Sequence, residues 1–400
     1  MNILQVNSCN FGSTGNIMLQ TAEKARQVGH VTITACPDSR DNRKKQVEHH
    51  VFIGNRFLRN VHLKLACYTG LNGCFSYVST WRFLRKVKKM GTQLVHLHNL
   101  HNAYLNIPLL FRYIKKNNVR VVWTFHDCWP FTGHCPYFDM VGCDKWKTGC
   151  HHCPQYKEYP ASLLDNSSFM YKWKKKWFTG IKDMTIVTPS AWLAELAKES
   201  FLKDYPVQVI NNGIDLDVFK PAESDFRKRY GVENKHILLG VAFGWEARKG
   251  LDVFIELANR LDKEKYQIVL VGTDEDTDEL LPENVISIHR TQNQMELAEI
   301  YTAADLFVNP TREENYPTVN MEAIACGTPV VTFRTGGSAE IVDESCGAVV
   351  EKNDIDALER EILRICEQQP FSKDACLKWA QQFDKHQRFE EYIKLYRSEL

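Results

Sequence analysis

The sequence has almost no net charge. Its 50 lysines and arginines stand against 49 aspartates and glutamates, leaving +1 at pH 7 with histidine neutral. No global field therefore draws the chain to nucleic acid or to an acidic partner. It also lacks any run of about 18 apolar residues, so no membrane-spanning helix is expected. Met1-Asn-Ile-Leu-Gln-Val-Asn7 has no basic start and no apolar stretch of leader length, so no secretory signal is expected either. Internal repeats of solenoid period and low-complexity tracts are missing. These absences point to a globular cytoplasmic protein, with peripheral attachment to the inner membrane face as a further option. Its thirteen cysteines then belong to a reducing compartment, as thiols or metal ligands rather than disulfides. At 400 residues the chain is long for one core and comfortable for two domains.

Apolar runs alternate with amphipathic stretches in both halves. Ile3–Val6, Val31–Ala35, Leu94–Leu97, Val119–Phe125 and Thr185–Thr188 read as strands, and Asn16–Gln27 as a helix. In the second half Val207–Ile210, Ile237–Val241, Ile268–Val271, Val285–Ile288 and Leu306–Asn309 are strands, with helical patterns at Leu251–Leu261 and Gln294–Ala303. This alternation predicts α/β architecture with two parallel, doubly wound sheets. The two series meet near Phe201–Pro206, which predicts domains over 1–203 and 204–380 and a last helix over 381–400 with apolar spacing at Phe389, Tyr392, Ile393 and Tyr396. Ligands of such sheets lie beyond the carboxyl ends of the strands and, with two domains, in the cleft between them.

The most informative stretch is Glu314-Asn-Tyr-Pro-Thr-Val-Asn-Met-Glu322, followed by Ala323-Ile-Ala-Cys-Gly-Thr-Pro-Val-Val331. Pro317 suits the first helical position, Gly327 and Pro329 end the helix, and Val330–Phe333 reads as a buried strand. Glu314 thus precedes a helix and Glu322 projects from its second turn. Free N–H groups near Thr318 and Val319 offer an anion site. A phosphate site flanked by two hydroxyl-binding carboxylates suits a nucleotide sugar. An ordinary βαβ unit with solvated acids fits the spacing equally well.

Three loops add to this. Asn7-Ser-Cys-Asn-Phe-Gly-Ser-Thr-Gly15 carries Gly12 and Gly15 at a helix start and reads as an anion loop or simply as a tight turn. Phe243-Gly-Trp-Glu-Ala-Arg-Lys-Gly250 puts Arg248 and Lys249 at a strand end, where they could hold a diphosphate or merely meet solvent. Asn211-Asn-Gly-Ile-Asp215 marks a turn at the domain edge.

Asn-Gly-Ile-Asp, then Arg-Lys-Gly, then Glu-x7-Glu with Ala-x-x-Cys-Gly-Thr-Pro-Val, then Thr335-Gly-Gly337, together resemble the retaining glycosyltransferases of family 4, of the type that builds bacterial capsule, exopolysaccharide or lipopolysaccharide. The resemblance spans most of residues 205–345 and, more loosely, the N-terminal loop and Thr124-Phe-His-Asp127. It implies the GT-B fold: two Rossmann-like domains facing a central cleft, donor in the second, acceptor mainly in the first, and a C-terminal helix crossing back to the first. It gives Glu322 the donor ribose, Glu314 the donor sugar, and Lys249 the diphosphate. His126 falls near the sugar and the attacking hydroxyl, and Gly12 and Gly15 fall at the phosphates. Arg248, Asn315, Tyr316, Thr318 and Val319 complete the donor site. The chain departs from the family at Gly244, where an arginine is usual five residues before Lys249, and at Tyr316 and Pro317, where Phe and Gly are common. The resemblance further implies a UDP- or GDP-linked donor, a glycan or polyprenyl-diphosphate-linked acceptor, retention of configuration, and no cofactor or metal for catalysis. The metal-associated pattern Asp-x-Asp occurs at Asp215/Asp217, Asp276/Asp278 and Asp354/Asp356, too often to discriminate.

Cys135, Cys143, Cys150 and Cys153 lie in an insertion over 128–160 that lacks apolar periodicity. They suit a structural zinc site or a set of reduced thiols. His96, His98 and His101 frame a strand end, as core groups or cleft lining before metal ligands. Tyr171-Lys-Trp-Lys-Lys-Lys-Trp-Phe178 reads either as a solvated basic face or as a contact with an anionic leaflet. The predicted function is a metal-independent glycosyltransferase of surface polysaccharide synthesis, with a GT-B epimerase or a non-catalytic nucleotide-sugar binder as rivals.

Overall fold

The computed structural model describes residues 1–398; positions 399 and 400, the end of the expected C-terminal helix, lie outside the described residues. The chain forms two units, one of Met1–Asn211 with the chain from Phe389 on, the other Asn212–Arg388.

The first unit is built on seven parallel strands: β1 (Asn2–Val6), β2 (Val31–Pro37), β3 (His50–Ile53), β4 (Leu94–Leu97), β5 (Arg120–Thr124), β6 (Met184–Thr188) and β7 (Val207–Val209), in the order β3-β2-β1-β4-β5-β6-β7. Ile3 and Leu4 register with Thr32 and Ile33 on one side and with Leu94 and Val95 on the other. Burial on both faces explains the near-continuous apolar runs. Leu4, Val121 and Trp123 point into one core. Ile3, Leu94 and Val122 point into another, which is closed by Tyr392, Ile393, Leu395 and Tyr396. Those four belong to the last helix, Lys385–Arg397, which returns the chain to the first unit as the family resemblance implies. Arg120 grips its end, donating to the carbonyls of Tyr396 and Leu395 at 2.9 Å each, where a helix leaves carbonyls unpaired.

The second unit has six parallel strands: β8 (His236–Val241), β9 (Tyr266–Val271), β10 (Val285–Ile288), β11 (Leu306–Asn309), β12 (Val330–Phe333) and β13 (Gly347–Val350), in the order β10-β9-β8-β11-β12-β13. Both sheets wind outward in two directions from a switch point, between β1 and β4 in the first and between β8 and β11 in the second.

Three features differ from the sequence reading. The first unit runs to Asn211 rather than 203, because β7 pairs with β6 and completes the first sheet. The strands β3 and β13 escape notice because each is a four-residue sheet edge with incomplete burial. The helices Arg56–Thr69 and Tyr77–Lys89 were not anticipated either. Among the described residues no helix is long and apolar enough to cross a membrane.

Candidate active site

In the second unit the crevice opens at the carboxyl ends of β8 and β11, where the sheet halves part. The loop after β8 ends in the short turn Ala247–Lys249. Gly250 follows with φ +78°, and a Cβ there would stand 2.5 Å from the Pro310 carbonyl oxygen. Glycine thus lets this loop lie directly on the loop after β11. Across that contact Lys249 Nζ meets Glu314 Oε2 at 2.5 Å. Arg248 Nη1 donates to the Glu313 carbonyl at 3.3 Å, and Arg312 N donates to the Arg248 carbonyl at 2.8 Å. Burial alone would raise the Glu314 carboxyl. Lys249, and after it Arg248, outweighs burial and holds the group below the ordinary carboxylate range. Glu314 is therefore ionised and paired at neutral pH.

The helix Thr318–Ala325 comes next. Pro317 is its N-cap, not its first residue as expected, with φ −72° and ψ 118°. That extended backbone defers the helix to Thr318. No side chain caps the helix and no acid lies in its first turn, so its N–H end favours an anion. A buried amide–hydroxyl chain fixes its direction. Asn309 Nδ2 donates to Asn320 Oδ1 at 2.7 Å, Asn320 Nδ2 donates to Ser338 Oγ at 3.0 Å, and Ser338 Oγ lies 2.8 Å from Thr332 Oγ1. Gly337 N donates to the Asn315 carbonyl at 2.8 Å, joining the Thr335-Gly-Gly337 loop to the same site. Glu322, one turn after Thr318, accepts from Tyr301 Oη at 3.2 Å and from the Thr318 side chain. Burial pushes its carboxyl up to about 7, against those two hydrogen bonds.

Tyr316 is placed otherwise than expected. Its side chain is buried in the apolar cluster around the helix, with Met321, Ile324 and Phe383. There it supports the loop that carries Glu314 and Asn315. Val319 packs partly against the same cluster. The Asp-x-Asp pairs take structural partners: Asp215 pairs with Lys385, Asp278 with His289, and Asp354 accepts from Ala357 N at a helix start.

Gly12, Gly15 and His126 stand in the first unit, at the ends of β1 and β5. Gly12 opens the helix Gly12–Gln27 with φ +65° and open space beside it. Gly15 serves packing instead, since a Cβ would stand 2.7 Å from the Asn10 carbonyl carbon. His126 is half-buried and stacks on His98, with Nε2 3.0 Å from His98 Nδ1. Burial pushes His126 down to about 4 and His96 down to about 3, and it drives His98 well below the ordinary imidazole range. His96, His98 and His126 are therefore neutral at pH 7. His96 bonds Tyr396 Oη and Thr124 Oγ1, while His101 joins Asp127 at 2.9 Å and Tyr159 Oη at 3.0 Å. His96 and His101 are thus satisfied core groups.

The four cysteines line one small cavity of about 20 Å³ together with His134, Phe138 and Trp146. Cys135 and Cys153 hydrogen-bond to each other, and Gly133 N donates to Cys150 Sγ at 3.1 Å. Among the described residues no group of three or more His, Cys, Asp or Glu is arranged to hold a metal ion. Lys174 departs from both readings of its basic stretch. Its ammonium is buried, donates to the Trp129 and Thr132 carbonyls at 2.7 and 3.1 Å, and lies 3.3 Å from the Trp129 ring centroid.

No local pattern signals that Tyr301 holds Glu322, that His98 holds His126, or that Asp127, His101 and Tyr159 form a chain. Each pairing spans 21 residues or more, and only the fold closes it.

Two Rossmann-like units with paired charges and an open helix end at the second switch point define the class, the GT-B glycosyltransferase fold. The sequence profile of Glycosyltransferase Family 4 matches residues 14–218, and that of Glycosyl transferases group 1 matches residues 235–368. The chain belongs to glycosyltransferase family 4. Among its relatives, WcaC of Escherichia coli K12, whose name assigns it to colanic acid biosynthesis, is 26% identical over 274 residues. That match covers 66% of this chain and 65% of the relative's length. Two solved structures share the fold. Sucrose-phosphate synthase from Thermosynechococcus elongatus has a TM-score of 0.72 at 18% identity over 99% of this chain and 98% of its own. HepE from Anabaena, solved with UDP-glucose, has a TM-score of 0.69 at 15% identity over 99% of both.

Proposed function

We propose that the chain transfers a sugar from a UDP- or GDP-linked donor to a glycan or polyprenyl-diphosphate-linked acceptor in surface polysaccharide synthesis, with retention and without a catalytic metal. The observation that carries this reading is the Lys249–Glu314 contact across the switch point, beside the open start of the helix that bears Glu322. Negative charge builds on the diphosphate as the anomeric bond breaks. Lys249, Arg248 and the helix amides are preorganised to receive it. Glu322 suits two ribose hydroxyls, and Glu314, already ionised, suits the sugar. In the first unit the neutral His126 suits a hydrogen bond to the sugar or to the attacking hydroxyl, and Gly12 leaves its helix start open to the phosphates. Family membership, WcaC's name and the UDP-glucose bound to HepE agree with this reading.

Thermal stabilisation of the purified chain by a panel of UDP- and GDP-sugars tests it, because a bound donor raises the melting temperature by mass action. Stabilisation by one donor, with nucleoside diphosphate release that requires an acceptor, is expected. Free sugar released without acceptor would indicate an epimerase, and stabilisation without turnover would indicate a binding protein.

A further inference from the structure

Residues 49–126 contain twelve lysines and arginines and no aspartate or glutamate. The rest of the chain carries 38 of the 50 cations and all 49 carboxylates. The near-zero total thus conceals a strongly basic stretch inside the first unit. The same stretch leaves many apolar side chains uncovered. On the helix Arg56–Thr69 only His62 and Ala66 are buried. Phe57, 74% exposed, and Val61, Leu65 and Tyr68 recur at helical spacing and form one stripe in water. The helix Tyr77–Lys89 buries Phe83, Leu84 and Val87 but leaves Tyr77, Val78 and Trp81 exposed. The Arg85 guanidinium lies 4.9 Å from the Trp81 ring centroid.

These parts adjoin one another. His62 Nδ1 lies 2.7 Å from Ser76 Oγ at the head of the second helix. Leu163 N donates to the Cys67 carbonyl at 2.7 Å, and Asn166 Nδ2 donates to the Thr69 carbonyl at 2.6 Å. The exposed Leu163, Leu164, Phe169 and Trp173 therefore extend the surface. The carboxylate in this added segment, Asp165, accepts from Cys153 N and Ser167 N. Trp173 and Trp177 then border a groove of about 690 Å³ with Arg112, Lys115, Lys116 and Lys176.

An apolar surface this extensive marks an interaction site. Cations alone would suit nucleic acid, but single-stranded nucleic acid needs stacking rings along a groove, and the Val61–Leu65 stripe is aliphatic. Aliphatic and aromatic side chains flanked by lysine and arginine match the interface of an anionic bilayer. We propose that the helices Arg56–Thr69 and Tyr77–Lys89, with segment 163–173, form a face by which the first unit lies on an anionic phospholipid membrane. The apolar stripe enters the headgroup zone while the cations meet lipid phosphates. This proposal stands apart from the catalytic reading.

Co-sedimentation of the full chain with vesicles tests it. Vesicles with roughly 30% phosphatidylglycerol should bind the chain about tenfold more strongly than pure phosphatidylcholine vesicles. Phe57→Ser/Val61→Ser/Leu65→Ser and, separately, Lys86→Glu/Lys89→Glu should each weaken that binding about tenfold at an unchanged melting temperature. These side chains are exposed, so the fold should tolerate both changes. Leu280→Ser, an exposed site in the second unit, should leave binding intact. Absence of binding, equal binding to neutral vesicles, unchanged binding by both variants, or displacement from vesicles by an oligonucleotide would each overturn the proposal. Donor stabilisation is read in a separate assay, so failure of either reading is visible by itself.

Discussion

The two units use one scaffold, a parallel sheet with a switch point, to make different electrical environments. At β8 and β11 the crevice holds an ionised pair, Lys249 and Glu314, a second cation in Arg248, and a carboxyl near half-ionisation in Glu322. At β1, β4 and β5 the crevice holds His96, His98 and His126, which burial keeps uncharged, and one carboxylate, Asp127, held below the ordinary range by its pairing with His101. The strands position the side chains in both cases. Whether charge survives depends on whether the loops bring an opposite charge within reach before burial strips the water away. A charged crevice suits a diphosphate. One lined by neutral imidazoles suits hydroxyl groups, which a ring nitrogen can meet as donor or acceptor.

The largest expected effect comes from removing charge in the second unit. Lys249→Ala should lower kcat of transfer by about a thousandfold. The pair is mostly buried, with side chains 22% and 17% exposed, so the variant should also lose about 1–3 kcal/mol of folding stability, less than the loss in turnover. A parallel collapse of stability and turnover would mean that the pair is structural. In the first unit, His126→Asn should cost about a hundredfold in kcat. Because His126 titrates near 4, the wild-type pH profile should show no limb near 6.5 that disappears in this variant; such a limb would break the contrast between the crevices.

The smallest effect sharpens the picture at Glu322. Its carboxyl titrates near 7, so donor affinity should rise about tenfold from pH 6 to pH 8 as the hydroxyl-accepting form fills. Glu322→Gln should flatten that rise in calorimetric titrations. The stability sign runs the other way. Between roughly 4.5 and 7 the folded chain keeps a proton that the unfolded chain has released. Stability therefore falls as pH climbs through that window, and Glu322→Gln should abolish that part of the slope in melting curves.

Much of this was legible in the residues. The strands β1, β4, β8, β11 and β12 announced themselves as apolar runs because parallel strands are buried on both faces. The positions of Glu314 before a helix and of Glu322 on it were legible from the start and stop signals around them, whereas the pairing of Lys249 with Glu314 was not, because it joins loops 65 residues apart. Pro317 misled because the first helical position and the N-cap both accept proline's φ, and only ψ separates them. Tyr316 misled because an aromatic beside a site can face the ligand or support the loop from behind. The alignment of His98 with His126 and of Tyr301 with Glu322 depends on strand order and helix rotation, which no local pattern encodes. The edge strand β13 was hidden by its modest, half-exposed side chains.

The buried amine of Lys174 has a consequence for the insertion beneath which it sits. Burial drops it to about 7, and two of its hydrogens already meet the carbonyls of Trp129 and Thr132. An uncharged amine fully serves both acceptors, so mild alkali leaves this mooring intact. Protonation adds a third hydrogen and a full charge, which the Trp129 indole face and the nearby Asp127 only partly offset against burial. The cost of burying this amine is therefore incurred as pH falls from the ordinary lysine range to about 7, and further acidification adds nothing to it.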